Sequence, residues 1–203
     1  MIITIGREFG SGGREVGKRL ADELGIAYYD KEIITEIAKE SELDEKYVEN
    51  VIEKGLPGSF FYTFGQSFAH PIVFTENTMI NVLSEQRKVI MRLAEKDCVI
   101  VGRCADVILK EQKPFRLFVY ADEEHKIARC RQRANEGEVY TDKQLIRKMK
   151  KIDSGRRKLH SIMSDVPWGD KRGYDLMLNT GCADIKKLVS LVAEYIKHYY
   201  GVN

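Results

Sequence analysis

The chain of 203 residues is long enough to bury one full α/β core, and we expect a single domain, 1–203. Its 43% hydrophobic and 32% charged residues are typical of a globular protein in water, and a net charge of +2 argues against non-specific binding to nucleic acid. The four cysteines form no C-x-x-C pair, and no run approaches the ~20 apolar residues of a membrane span, so we expect reduced thiols, no membrane partner and a cytoplasmic location.

The chain opens with the pattern of a strand, a glycine-rich loop and a helix. Ile2, Ile3 and Ile5 are β-branched, the loop Gly10-Ser11-Gly12-Gly13 follows, and from Arg14 apolar residues recur at helical spacing. In such a loop successive N–H groups can turn toward an anion, and the helix N-terminus adds a partial positive charge. The predicted ligand is a phosphate; the alternative is a tight turn whose glycines serve packing alone.

The loop departs from the phosphate-loop pattern G-x-x-x-x-G-K-[ST] at three positions. With Gly12 on the second glycine, the first-glycine slot holds Arg7. The lysine slot holds Gly13, and the hydroxyl slot holds Glu15, whose carboxylate would either reach Mg²⁺ or repel phosphate. Nearby cations are Arg7, Arg14 and Lys18. We expect Arg14, Lys18 or an arginine of a later helix to replace the lysine.

Further short strands alternate with helices, which predicts an α/β fold. Strands are expected at 26–29, 98–101, 115–120 and 174–178, and helices at 31–40, 41–54, 78–96, 122–134, 142–159 and 183–200. The run at 98–101 is apolar throughout, as in a strand that is buried on both faces.

Two charged residues follow predicted strands, where ligands of α/β sheets bind. Asp30 follows the second strand, and its alternative role is to cap the next helix. Arg103 follows the strand at 98–101, where a guanidinium is suited to phosphate. The alternative for Arg103 is a surface ion pair with Asp106.

Basic residues are concentrated in the helices predicted at 122–134 and 142–159. They are Lys126, Arg129, Arg131, Arg133, Arg147, Lys148, Lys150, Lys151, Arg156, Arg157 and Lys158. A hairpin of two such helices could close over a polyphosphate and exclude water, whereas the alternative is a solvated face.

Aromatic residues are concentrated in 55–75, which we interpret as a long loop over a small core of its own. The alternative is a flap over a base. His70, within this segment, has no companion ligand and is assigned no role. Trp168 is interpreted as covering the edge of the core rather than stacking on a base.

These features together resemble the nucleoside monophosphate kinases, and more closely the cytidylate kinase-like family. The resemblance rests on IGREFGSGGREVGKRLADELG, VGRCAD and YDLMLNT, and it covers nearly the whole chain. It implies a three-layer α/β/α P-loop fold with a five-stranded parallel sheet. The core would comprise 1–29, 78–122 and 160–203, with an acceptor-binding helical insert at about 30–77 and a basic helical lid at about 123–159.

The resemblance also implies transfer of the γ-phosphoryl group of ATP, with Mg²⁺, to a nucleoside monophosphate, CMP or dCMP. The alternatives are a nucleotide-binding pseudokinase and a kinase of another small molecule. The implied phosphate-binding residues are Gly10, Ser11, Gly12, Gly13, Arg14 and Glu15, with Mg²⁺ near Glu15. The implied acceptor-binding residues are Asp30, Arg103 and Asp106, the catalytic cations are Arg14, Lys18, Arg129 and Arg156, and further lid residues are Arg133, Asp153 and Arg157.

Overall fold

The computed structural model describes residues 1–54, 76–134, 140–181 and 183–202. Its strands are β1 (Ile2–Arg7), β2 (Ala27–Tyr29), β3 (Cys98–Val101), β4 (Phe115–Tyr120) and β5 (Leu176–Asn179). They form one parallel sheet in the order β2-β3-β1-β4-β5. Strand β1 is therefore central, and the loop that follows it lies beside the carboxyl ends of β3 and β4.

Helices cover both faces of the sheet. They are α1 (Gly13–Leu24), α2 (Glu32–Ser41), α3 (Glu45–Lys54), α4 (Glu76–Leu93), α5 (Ala105–Ile108), α6 (Glu123–Gln132), α7 (Asp142–Met163) and α8 (Ile185–Tyr200). Alternate residues of a strand face opposite layers, so Val99 and Val101 pack with α1 and α8, whereas Cys98 and Ile100 pack with α2, α3 and α4. The predicted three-layer α/β/α architecture is confirmed.

Most predicted elements are confirmed with small shifts at their ends. Helix α1 ends before Gly25, whose φ of +66° is the left-handed conformation that favours glycine. The next two predicted helices are separated because Glu42, with a φ of +57°, ends α2. Helix α7 continues to Met163, beyond the predicted end at 159, because Leu159 and His160 are buried in the fold.

Two features of the sequence fall where the structure gives no description. The aromatic segment 55–75, with His70, and residues 135–139 between the two basic helices lie outside the described residues. Among the helices that are described, none combines the length and the apolar character needed to cross a membrane.

Candidate active site at the carboxyl edge of the sheet

The loop between β1 and α1 is compact. Ser11 is fully buried, and its hydroxyl donates to the carbonyl of Glu8 at 2.9 Å. Gly10 and Gly12 have φ values of +80° and +83°, and Gly12 is the N-cap of α1. The predicted strand, loop and helix are confirmed, whereas phosphate binding by the loop stays a prediction.

Gly13, in the lysine slot of the loop pattern, has no room for a side chain. A Cβ on Gly13 would lie 2.5 Å from the Cβ of Arg7 and 3.0 Å from its Cγ. Arg7 stands in the slot of the pattern's first glycine and is 6% exposed. Its guanidinium passes Gly102, where an added Cβ would overlap Nη1. Two of the three departures from the pattern are therefore in direct contact.

Asp30 lies between two arginines. Its carboxylate is 2.7 Å from Nε of Arg14 and 3.8 Å from Nη2 of Arg7. The N-cap of α2 is Lys31, so the interpretation of Asp30 as a helix cap is wrong. Lys18, one turn beyond Arg14 on α1, is exposed. The structure therefore brings Asp30 together with Arg7 and Arg14 and leaves Lys18 at the surface.

The turn after β3 has an unusual backbone. Gly102, Arg103 and Cys104 have φ values of +75°, +59° and +51° in succession, and two of these residues carry a Cβ that disfavours this conformation. The turn is anchored by Gln86 of α4, which is fully buried and donates from Nε2 to the carbonyl of Arg103 at 2.9 Å. Burial raises the pKa of the Cys104 thiol to about 12, so the thiol stays protonated at neutral pH.

Arg103 itself is 5% exposed, so the alternative of a surface ion pair with Asp106 is wrong. Asp106 pairs instead with His160 of α7, with Oδ2 and Nε2 3.1 Å apart. The sequence pattern alone does not single out His160. The signal that could have found it is its position four residues after Arg156, which places both side chains on one face of the helix.

Helix α6 contacts the loop through its basic residues. Nζ of Lys126 lies 2.8 Å from the carboxylate of Glu8. Arg129 donates to the carbonyl of Gly10 at 2.9 Å and to the carbonyl of Thr180 at 3.1 Å. Thr180, which sequence analysis did not select, is buried, and its hydroxyl donates to the carbonyl of the loop residue Ser11 at 2.5 Å. The loop is thus held from β5 as well as from α6.

Helix α7 contacts the same loop from the other end. Asp153 accepts the backbone N–H of Phe9 at 2.8 Å, and Arg156 donates to Asp153 at 3.1 Å and to the carbonyl of Arg7 at 3.0 Å. Burial raises the pKa of Asp153, although Arg156 opposes that shift. The predicted lid residues Asp153 and Arg156 therefore reach the loop backbone.

The other two predicted lid residues, Arg133 and Arg157, contact side chains rather than the loop backbone. Arg133, beyond the end of α6, forms an exposed pair with Glu15 at 2.7 Å. Arg157 stacks over Trp168 at 5.7 Å, and Trp168 in turn packs edge-on against Phe118 with ring centroids 5.1 Å apart. Trp168 thus packs at the edge of the sheet, as its interpretation expects.

A narrow cleft with a cavity volume of ≈ 30 Å³, partly open to solvent, lies at the carboxyl edge of the sheet. Its charged and polar lining consists of Arg7, Arg103, Arg156, Asp106 and His160. Asp30 lies beside Arg7 and Asp153 beside Arg156, so carboxylates balance part of the arginine charge. Guanidiniums form paired hydrogen bonds with phosphate or carboxylate, so the arginines at this edge are suited to an anionic group.

Comparisons with known proteins agree with this geometry. The model of the cytidylate kinase-like family matches residues 2–181. A solved structure of an uncharacterized protein from Eubacterium ventriosum is 29% identical, covers 97% of this chain and 98% of that chain, and has a TM-score of 0.70. No curated protein matches the chain in sequence.

More distant structures share the fold. The shikimate kinase of Bacteroides thetaiotaomicron is 13% identical over 100% of this chain and 99% of that one, with a TM-score of 0.55. The shikimate kinase of Acinetobacter baumannii is 16% identical, covers 98% of this chain and 93% of that chain, and has a TM-score of 0.51. The fold is that of the P-loop kinases, and family and fold together support a nucleotide-binding kinase of a small molecule. The match over residues 2–181 places the chain in the cytidylate kinase-like family.

Proposed function

We propose that the chain transfers the γ-phosphoryl group of ATP to a nucleoside monophosphate, CMP or dCMP by analogy with its family. The observation that carries the proposal is the cleft lined by Arg7, Arg103 and Arg156, together with the contact between the stem of Arg7 and Gly13 of the loop. Guanidiniums form paired, charge-assisted hydrogen bonds with phosphate. A phosphorylated acceptor would meet these side chains at the edge of the sheet where α/β ligands bind.

The proposed roles follow from position. The donor phosphates would lie over the loop 10–13 and the N-terminus of α1, where backbone N–H groups and the helix dipole favour anions. Arg103, presented by its strained turn, would hold the acceptor phosphate. Arg156 and Arg129, both bonded to the loop region, would stabilise the charge that develops on the transferred group. Such catalysis consists almost entirely of positioning and charge stabilisation.

Mg²⁺ would enter with ATP. In the described part of the chain, no three His, Cys, Asp or Glu side chains come together as a metal site. Glu15, the predicted neighbour of Mg²⁺, lies 2.7 Å from Arg133 and 3.0 Å from Arg19. The residues therefore do not form a protein cage for the ion. Mg²⁺ commonly rests on substrate phosphates and water with one or two carboxylates, and there it neutralises phosphate charge.

A nucleotide-binding pseudokinase is the second candidate, and the glycine at position 13 favours it because the usual lysine is missing. A kinase of another small molecule is the third. Shikimate kinases share the fold, so a carboxylated polyol belongs among the acceptors to be tested.

The test is ³¹P NMR of the protein with Mg-ATP and, in turn, CMP, dCMP, UMP, AMP and shikimate. We expect ADP and phosphorylated CMP or dCMP. Arg103→Ala should lower kcat/KM for the acceptor by about 10²- to 10³-fold while ATP still binds. Arg87→Ala, an exposed change on α4, is the matched control. Binding of ATP without transfer to any acceptor would favour the pseudokinase, and failure to bind ATP would refute both.

A further inference from the structure

The two departures from the loop pattern at positions 7 and 13 amount to one exchange, in which a glycine and a basic residue have changed places. The loop pattern has glycine first and lysine later, whereas this chain has arginine first and glycine later. The stem of Arg7 fills the space that a side chain on residue 13 would enter, with its Cβ only 2.5 Å from the added Cβ. Real Cβ atoms do not approach so closely, so the chain accommodates a long side chain at one of these positions but not at both.

We propose that Arg7 supplies the positive charge that the loop lysine supplies in the usual pattern, reaching the terminal phosphates of ATP from β1 instead of from α1. Its stem begins where the lysine's would begin. Arg7 lines the cleft beside Arg103, and its Nη2 lies 3.8 Å from the carboxylate of Asp30. The role in transfer rests on the proposed function, whereas the steric exchange does not.

The backbone holds this arginine in place. Arg7 is the last residue of β1, where it is paired with Val119 of β4, and its carbonyl accepts Nη1 of Arg156 at 3.0 Å. Gly102, without a side chain, leaves the space that the guanidinium occupies. A cation fixed in this way is preorganised, which is the condition under which charge stabilisation is most effective.

The other cations near the loop are less well placed for this role. Lys18 is exposed, and Arg14 is 43% exposed and directed to Asp30 at 2.7 Å. Arg129 donates to the carbonyls of Gly10 and Thr180.

The experiment is a double-mutant cycle of wild type, Arg7→Gly, Gly13→Lys and the double variant, with Mg-ATP as the probe in isothermal titration calorimetry. We expect Arg7→Gly to weaken ATP binding by about tenfold or more, because a charged contact to phosphate is lost. Gly13→Lys alone should also bind poorly, because its Cβ meets that of Arg7. The double variant, in which the glycine and the cation have exchanged places, should recover affinity to within about threefold of wild type.

Controls separate charge from folding. Arg7→Met keeps most of the stem without the charge and should bind ATP as weakly as Arg7→Gly. Far-ultraviolet circular dichroism should show that Arg7→Met is folded. If Arg7→Gly does not fold, Arg7→Met alone tests whether the charge is needed for ATP binding. Arg87→Ala is the surface control. Wild-type affinity in Arg7→Met, or a double variant no better than either single variant, would overturn the proposal. If wild type binds ATP but phosphorylates no acceptor, the proposed function fails while the binding cycle still decides this inference.

Discussion

Two sets of basic side chains surround the same loop, and only one of them includes a strongly exposed side chain. The α6 set consists of Lys126 and Arg129 of α6 and Arg133 just after it, and these side chains bind acceptors on or beside the loop. The cleft set consists of Arg7, Arg103 and Arg156, which line the cleft. In the α6 set, Arg133 is 50% exposed in its pair with Glu15. In the cleft set, Arg7 and Arg103 are only 6% and 5% exposed.

This contrast in exposure separates contacts that can be lost cheaply from contacts that cannot. Exposed ion pairs contribute little, so the pair of Arg133 and Glu15 can be lost at small energetic cost. The cleft set is fixed by a strand end, a strained turn and a buried helix face, and its removal leaves buried groups without partners. We therefore expect large effects from changes around the cleft set and small effects from changes at the exposed Arg133 of the α6 set.

The largest effect is expected for Gly102→Ala. The substitution places a Cβ at a φ of +75° and drives it into Nη1 of Arg7, so the free energy of unfolding should fall by about 2–4 kcal/mol. Urea denaturation measures the change. Gly25→Ala is the matched control, because Gly25 has a φ of +66° with nothing within 4 Å of an added Cβ. It should cost about 1 kcal/mol. If both substitutions lowered the free energy of unfolding equally, a side chain at position 102 would not meet the guanidinium of Arg7.

Gln86→Leu should have the next largest effect. It removes the buried hydrogen bond to the carbonyl of Arg103 and should lower the free energy of unfolding by about 1–3 kcal/mol. Because that bond anchors the turn that presents Arg103, KM for the acceptor should rise as well. Arg87→Gln, on the exposed face of the same helix, should change neither quantity. Unchanged acceptor kinetics in Gln86→Leu would show that the turn holds its conformation unaided.

The sequence predicts the sheet well and the cleft poorly, for a physical reason. Strand β4 was predicted at 115–120 and found there, because an apolar run between turn signals is local information. The contact between Arg7 and Gly13 depends on where two side chains point after the strand and helix have packed. The pair of Asp106 and His160 likewise joins residues 54 positions apart. The position of Arg103 after a strand makes it a candidate site residue, but only packing shows that it is buried.

Asp153 tests the boundary between the two sets, because it is buried yet contacts the loop. Asp153→Ala removes the acceptor of the Phe9 N–H and should cost about 1–3 kcal/mol of unfolding free energy. Asp153→Asn keeps an acceptor oxygen and should change the unfolding free energy at pH 7 by less than about 1 kcal/mol.

The pH dependence of the free energy of unfolding gives a second test of the role of Asp153. Burial raises the pKa of Asp153, so the folded state holds the proton more tightly than the unfolded state. Its contribution to stability therefore falls as pH rises from about 3.9, the ordinary aspartate value, through the raised pKa. Urea titrations from pH 3.5 upward should show this decline in wild type but not in Asp153→Asn. An identical pH profile for the two proteins would contradict the assignment.

The smallest effect is expected for Arg133→Gln. The pair with Glu15 is exposed, so its loss should change the free energy of unfolding by less than about 1 kcal/mol. In 0.5 M salt even that difference should disappear, because the Debye length falls to about 4 Å. Arg116→Gln is the comparison, because Arg116 forms a two-pronged, partly buried pair with Asp175 and should cost more. A loss in Arg133→Gln as large as that in Arg116→Gln would mean that the exposed pair of Arg133 and Glu15 supports the fold as firmly as a partly buried pair, and the contrast between exposed and buried cations around the loop would not hold.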